Sequence, residues 1–376
     1  MAVSGMQILA AFEGAGVTHF FGVPDSVLKP FCHALTEVVG DERHHVAANE
    51  GGAVAAAAGH FLATGRVPVV YMQNSGLGNA VNPLLSLVNS EVFAIPLVVV
   101  IGWRGMPGCK DELQHGPTGR ATKRILQACG IPSLTLSGDS ETITAACSQV
   151  IKEARATKEP RALLVPPGCL DDDQSNRAEG IAALYALTRD AALRVIMAAQ
   201  RPGDITISGT GYLSRAVHSL RRDNKKGPFF PLIGGMGHTV ALSVGICDSR
   251  PNRSVWCIEG DGGALMHLGS VAIAGARKPS GLIYVVLNNG CHASVGGTPT
   301  VARMVDLSTM ARAAGFVTAR QVGSAGGLHA ALDGIADNAG PHFLDVWIAS
   351  EGDPVHPRPP ESPCSLLREF EQGMGQ

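Results

Sequence analysis

Eight short apolar runs, those of the first half bounded by Gly, Pro or Asn, set the architecture open to this chain. Four lie in the first half: THFFGV from Thr18, VPVVYM from Val67, IPLVVVIG from Ile95 and RALLVPP from Arg161. The second half holds DITISG from Asp204, SVWCIEGDGG from Ser254, GLIYVVLNNG from Gly281 and HFLDVWIA from His342. Continuous apolar runs of this length are what strands buried on both faces of a parallel sheet require. The segments between them, such as the alanine-rich stretch after Glu50, are long enough for crossover helices. The expected fold class is therefore α/β, with two domains that are each a mostly parallel sheet flanked by helices. A chain of 376 residues exceeds one comfortable core, which agrees with two domains. The pattern breaks around the acidic run Asp171, Asp172 and Asp173, so the expected domains are 1–170 and 186–376, joined by a short linker at 171–185 with no middle domain. The halves share an architecture without aligning residue by residue. A tail after Asp353, rich in proline, is expected to run extended and end in a short helix.

Composition narrows the function classes. A formal net charge of −2 with 16% charged residues gives no strong field of either sign, which argues against a nucleic-acid partner. The longest apolar stretch, Val92 to Trp103, is too short to cross a bilayer, and the N-terminus lacks a basic region followed by a signal-type apolar run. The nine cysteines include no Cys-x-x-Cys pair, and their odd number argues against a secreted disulfide scaffold. A cytoplasmic protein without membrane contacts is expected.

The chemistry concentrates at the ends of two successive runs. Gly260-Asp261-Gly262-Gly263 closes one and Asn288-Asn289-Gly290 closes the next, with 28 positions from Asp261 to Asn289. Ligands bind at carboxyl ends of strands in open parallel sheets, and a helix beginning near Gly263 would aim its N–H groups at a phosphate. A carboxylate and an amide oxygen converging there suit magnesium or calcium, with a diphosphate and water completing the coordination. Each motif alone is most often a plain turn; together on successive strands they are far more specific. Gly235-x-Gly237 lacks the third glycine of a dinucleotide fingerprint, and no P-loop sequence is present.

This paired motif resembles that of the thiamine diphosphate enzymes. Over essentially its whole length the chain is similar to the phosphonopyruvate decarboxylases, with the sulfopyruvate decarboxylases as near relatives. The residues that carry the likeness are FFGVPDSVLKPF (Phe20 to Phe31), NEGGAVAAAAGH, QNSGLGNAVNPLLSL, GWRGMPGCKDELQH (Gly102 to His115), GGMGH, and GDGGALMHLGS through NNGCHASVGGTPT. The resemblance implies thiamine diphosphate and Mg2+ as cofactors. Asp261, the Asn289 side chain and the Cys291 carbonyl would hold the metal, and Gly260, Gly262 and Gly263 would cradle the diphosphate. Gly234 and Met236 fall in the segment whose apolar residue wedges between the cofactor rings; Thr210 and Gly211 are further candidate contacts. Glu50, at the start of an alanine-rich helix, would face the aminopyrimidine, where desolvation favours a shared proton; its alternative role is to complement the helix dipole.

For the reaction, the resemblance implies decarboxylation of a small anionic 2-oxo acid, 3-phosphonopyruvate, to phosphonoacetaldehyde. Asp25 lies where related decarboxylases place a proton relay, and His115 or His292 could return a proton after carbon dioxide leaves. Ser26, Lys29, Asn74, Ser75, Arg104 and Lys110 are the candidate substrate contacts, because a dianion needs charge and donors. One departure stands out: an acidic residue is expected after the histidine of the Asn-Asn-Gly-x-His turn, where this chain has Ala293. The resemblance also implies self-association, dimer or higher, with each active site between subunits. Sulfopyruvate decarboxylation, carboligation and a non-catalytic cofactor-binding role are the alternatives.

Overall fold

The computed structural model describes residues 3–171, 185–222, 225–350 and 353–375. The chain divides into two compact units, residues 1–179 with 295–298, and 180–294 with 299–376. The linker expected at 171–185 lies, apart from its two ends, outside the described residues.

In the first unit, strands β1 (Phe20–Gly22), β2 (His44–Val46), β3 (Val69–Gln73), β4 (Val98–Gly102), β5 (Ser133–Thr135) and β6 (Arg161–Val165) form one parallel sheet in the order β2-β1-β3-β4-β6-β5. Helices α1 (Gly5–Gly14), α2 (Lys29–Ala34), α3 (Glu50–Thr64), α4 (Leu77–Ser86), α5 (His115–Ala128) and α6 (Ser140–Thr157) accompany it. Strand alternation divides the core in two. Val69, Tyr71, Val98 and Val100 pack with α1 and α6, while Val70, Met72, Val99 and Ile101 pack with α3 and α4. Both faces are covered, which is why the inner strands are apolar throughout. The α3 helix begins where the Asn49 side chain accepts the Gly51 N–H at 2.8 Å, and it ends at Gly65 in a left-handed conformation.

The second unit holds β7 (Ile205–Ser208), β8 (Phe229–Pro231), β9 (Val255–Gly260), β10 (Leu282–Asn288), β11 (Thr318–Val322) and β12 (His342–Trp347), again all parallel, in the order β8-β7-β9-β10-β12-β11. Counted within its own unit, each sheet has the strand order 2-1-3-4-6-5. Helices α7 (Arg189–Ala199), α8 (Tyr212–Arg221), α9 (Thr239–Ser249), α10 (Asp261–Met266), α11 (Leu268–Arg277), α12 (Leu307–Ala314) and α13 (Ala325–Asp333) connect the strands, and α14 (Pro363–Met374) follows the extended tail. The two-sided division recurs: Val255, Cys257 and Tyr284 face one core, Trp256, Ile258 and Val285 the other. Among the described residues no helix is long and apolar enough to cross a membrane.

In each sheet the chain reverses its direction of travel between the first and third strands, and this switch point opens a crevice at their carboxyl ends. The first unit places Asp25 after β1, Glu50 after β2, Asn74 after β3 and Arg104 after β4. In the second, Thr210 follows β7, Met236 follows β8, Asp261 follows β9 and Asn289 follows β10.

Candidate active site

The second unit gathers the residues expected at the metal and diphosphate. Asp261 opens α10 and is 2% exposed. Its Oδ2 accepts the Thr300 hydroxyl, and burial pushes the carboxyl up to about 6 against that hydrogen bond. Among the described residues Asp261 forms no ion pair. Asn289 Oδ1 accepts the Cys291 N–H at 3.1 Å, which tightens the turn that carries the Cys291 carbonyl. Beneath it, buried Asn288 donates to Asp345 Oδ1 at 3.0 Å and accepts the Gly290 N–H at 3.0 Å. Gly290 has φ 65°, and a Cβ there would overlap Arg303, so both backbone and space demand glycine.

The same corner brings Met236, Gly262 and His292 together. A Cβ on Gly262 would lie 2.9 Å from His292 Cε1 and 3.5 Å from the Met236 methyl. Burial pushes His292 down to about 4, so its imidazole is neutral at pH 7. Gly260 and Gly211 face open space where a Cβ would stand, Gly234 is exposed, and Thr210 is half-buried. The Ser208 hydroxyl at the end of β7 is buried without a hydrogen-bond partner. Glu259, which precedes the glycines, is clamped by Thr239 at 2.6 Å and Tyr284 at 2.8 Å.

These groups fit a hard cation carrying a diphosphate. A carboxylate as buried as Asp261 needs a compensating charge. Among the described residues no three His, Cys, Asp or Glu side chains form a metal-binding group, so a metal here would rely on one carboxylate with the neutral oxygens of Asn289 and Cys291, a donor set that suits Mg2+.

The first unit gathers the acid–base and charged candidates. Glu50, 5% exposed, opens α3, and its Oε2 accepts the Asn79 side-chain N–H at 2.8 Å. The carboxyl fills the space where Gly76 would carry a Cβ. Asp25 is 1% exposed; its Oδ2 accepts the Val27 and Leu28 N–H groups at 2.9 and 3.1 Å, while Oδ1 has no partner. Burial pushes this carboxyl up to about 6, opposed by those amides and by Arg104.

Ser26, Lys29, Arg104 and Lys110 line one cleft of about 280 Å3. The Arg104 guanidinium is gripped through Nε and Nη2 by Asp111, at 2.8 and 2.6 Å, and donates from Nη1 to Ser26 Oγ at 2.8 Å. In return Arg104 holds the Asp111 carboxyl well below the usual carboxylate range. Three of the expected residues stand elsewhere. Asn74 is buried and its amide serves the protein: it donates to the Arg104 carbonyl at 2.8 Å and Thr122 Oγ1 at 2.9 Å, and accepts the Arg104 N–H at 3.1 Å. These bonds hold the Arg104 main chain. Ser75 is exposed and receives the Gln73 amide, and His115 opens α5 outside the cleft lining.

Asp111, Thr300 and Asn79 are not singled out by the sequence. Each acts by holding a residue that is. Asp111 alone carries a signal, as the acidic residue in the same Gly-rich segment as Arg104 and Lys110.

Residues 4–123 match the N-terminal TPP-binding domain of thiamine pyrophosphate enzymes, and residues 209–346 match the C-terminal TPP-binding domain. A phosphonopyruvate decarboxylase of Streptomyces hygroscopicus is 34% identical, with 98% of this chain and 94% of the relative aligned. One from Streptomyces viridochromogenes is also 34% identical over the same shares. A sulfopyruvate decarboxylase of Methanosarcina acetivorans is 26% identical over 86% of each chain. Both halves of the chain are thus thiamine diphosphate-binding domains, and its full-length kinship makes it a thiamine diphosphate-dependent carboxy-lyase that belongs to the phosphonopyruvate decarboxylase family.

Proposed function

We propose that the protein decarboxylates 3-phosphonopyruvate to phosphonoacetaldehyde and carbon dioxide, using thiamine diphosphate held through Mg2+, as a step of phosphonate biosynthesis. The observation that carries the reading is a buried carboxylate without an ion-pair partner among the described residues at a strand end in each unit: Glu50 in one, Asp261 in the other. In this reading the pyrimidine is bound by the domain spanning 1–170 and the diphosphate by that spanning 186–376.

Asp261, the Asn289 amide oxygen and the Cys291 carbonyl hold the metal; Gly260, Gly262, Gly263, Thr210, Gly211 and Gly234 line the diphosphate; Met236 supports the rings. When bound, thiamine diphosphate supplies a carbon nucleophile for the 2-oxo carbonyl and an electron sink for the bond that breaks. Glu50 would meet the pyrimidine nitrogen and exchange a proton with it, while Asn79 fixes the carboxyl's rotation. Asp25, pushed to about 6, is poised to hold and release a proton near neutrality from Oδ1. His115, or His292 in its protonated form, is the other candidate donor. Arg104, Lys29, Lys110 and Ser26 bind the anionic end of the substrate.

The family resemblance supports self-association in which the N-terminal unit of one copy and the C-terminal unit of another serve one cofactor. Among the described residues no cysteine forms a disulfide, which supports a reducing, cytoplasmic setting. Phosphorus NMR of the reaction mixture tests the function. Phosphonoacetaldehyde should form only with both thiamine diphosphate and Mg2+ present; its absence under those conditions, with intact phosphonopyruvate, contradicts the reading.

A further inference from the structure

We propose that the cleft of the N-terminal unit is a charge-selecting subsite for the dianionic end of the substrate, and that Asp111 is the positioning residue that gives it its shape. The inference rests on the phosphonopyruvate reading above and adds what would separate a phosphonate from a sulfonate.

Three cations, Lys29, Arg104 and Lys110, and one carboxylate, Asp111, line the cleft, so its lining is basic. A phosphonate dianion gains more from a basic lining than a sulfonate, a monoanion of the same tetrahedral shape. Discrimination between them therefore falls to charge and not to fit. Asp111 does not weaken the cleft by neutralising Arg104. It orients the guanidinium, because its two oxygens take Nε and Nη2 at 2.8 and 2.6 Å while the same carboxylate accepts the Gly105 and Glu112 N–H groups at 2.7 Å each. A planar fork held on one edge presents the other in a fixed direction.

That remaining edge is Nη1, which donates one hydrogen to Ser26 Oγ at 2.8 Å. The Ser26 oxygen is thus an acceptor, and its own O–H points away from Arg104. A ligand oxygen at the junction meets the second Nη1 hydrogen and the Ser26 hydroxyl together. The Arg104 main chain is pinned by Asn74, and the turn that begins at Asn74 ends at Gly76, against the Glu50 carboxyl. The Arg104 main chain and the Glu50 carboxyl thus both adjoin the turn Asn74–Gly76.

The test uses the full-length holoenzyme with thiamine diphosphate and Mg2+, with methylphosphonate and methanesulfonate as probes. Methylphosphonate should compete with phosphonopyruvate, with an inhibition constant at least tenfold lower than that of methanesulfonate. Lys110→Gln, at an exposed position, should raise KM and the methylphosphonate constant at least tenfold, leave kcat within about twofold, and erase the preference between the probes. Asp111→Asn should move KM in the same direction with kcat preserved. Should that variant not fold, Lys110→Gln decides alone. Methylphosphonate that lowers kcat without raising KM, which would mark a separate anion site, overturns the proposal, as do equal constants for the two probes. Calorimetric binding of both probes to wild type and Lys110→Gln tests the same preference if phosphonopyruvate is not turned over, so loss of the substrate reading is distinguished from loss of the subsite.

Discussion

Glu50→Gln keeps the shape of the side chain and its packing beside Asn79 and Gly76 but removes the titratable proton. The kcat for decarboxylation should fall by about 10²- to 10⁴-fold, the span typical of a lost general acid–base group, while calorimetry shows thiamine diphosphate bound within a few-fold of wild type. Asp261→Ala should have the opposite signature: the thermal stabilisation that Mg2+ and thiamine diphosphate give the parent disappears. Asp25 makes a prediction about pH. Burial holds its folded pKa at about 6, above the ordinary aspartate value of 3.8, so its contribution to stability is fully present below about 4 and is lost as pH rises through 6. For a fully buried group that loss is roughly 3 kcal/mol. The apoprotein should lose stability between about pH 4 and 6 in urea titrations and level off above that, and Asp25→Asn should reduce that slope. Asp261, Asn289 and Glu50 are legible in the sequence because each sits in a contiguous motif. Thr300 and Asn79 are not, since they lie 39 and 29 positions from the carboxylates they bind, and only the fold pairs them.

Among the elements, legibility follows sheet position. All eight apolar runs are strands, and each is an inner strand of its sheet. In the two six-stranded sheets, the four strands without such a run, His44–Val46, Ser133–Thr135, Phe229–Pro231 and Thr318–Val322, are the edges. An edge strand is short and less enclosed, so nothing compels a continuous apolar sequence there. The helix start at Asp261 lies two residues before the position expected from the glycines, because the Gly260 backbone is still extended and the carboxylate itself takes the first helical place. The turn at Asn74–Gly76 gives an element-level test. Gly76→Ala would drive a methyl group into the Glu50 carboxyl, and should destabilise by about 1–3 kcal/mol while lowering kcat. Gly78→Ala, two residues on, meets no atom within 4 Å and should be silent in both thermal unfolding and turnover.

Over the whole molecule, the chain uses one strand order twice, and both times the chemistry sits at the carboxyl ends around the switch point. The sequence halves do not align, because the repeat is one of buried pattern and topology; nothing in that repeat requires the same side chains. If one cofactor is served by the N-terminal unit of one copy and the C-terminal unit of another, inactive Glu50→Gln and Asp261→Ala proteins should complement. Mixing them under conditions of subunit exchange should restore up to about a quarter of wild-type activity, since each mixed dimer rebuilds one intact site of two. No recovery despite proven exchange would show that each copy serves its own cofactor. The most direct measurement of the proposed reaction is carbon dioxide release from the purified protein with thiamine diphosphate and Mg2+, with 3-phosphonopyruvate, sulfopyruvate and pyruvate compared side by side. Turnover should favour phosphonopyruvate by at least about tenfold in kcat/KM, the factor set by about 1.4 kcal/mol of differential binding; equal or greater turnover of sulfopyruvate or pyruvate, or none of any acid, would contradict the proposed function.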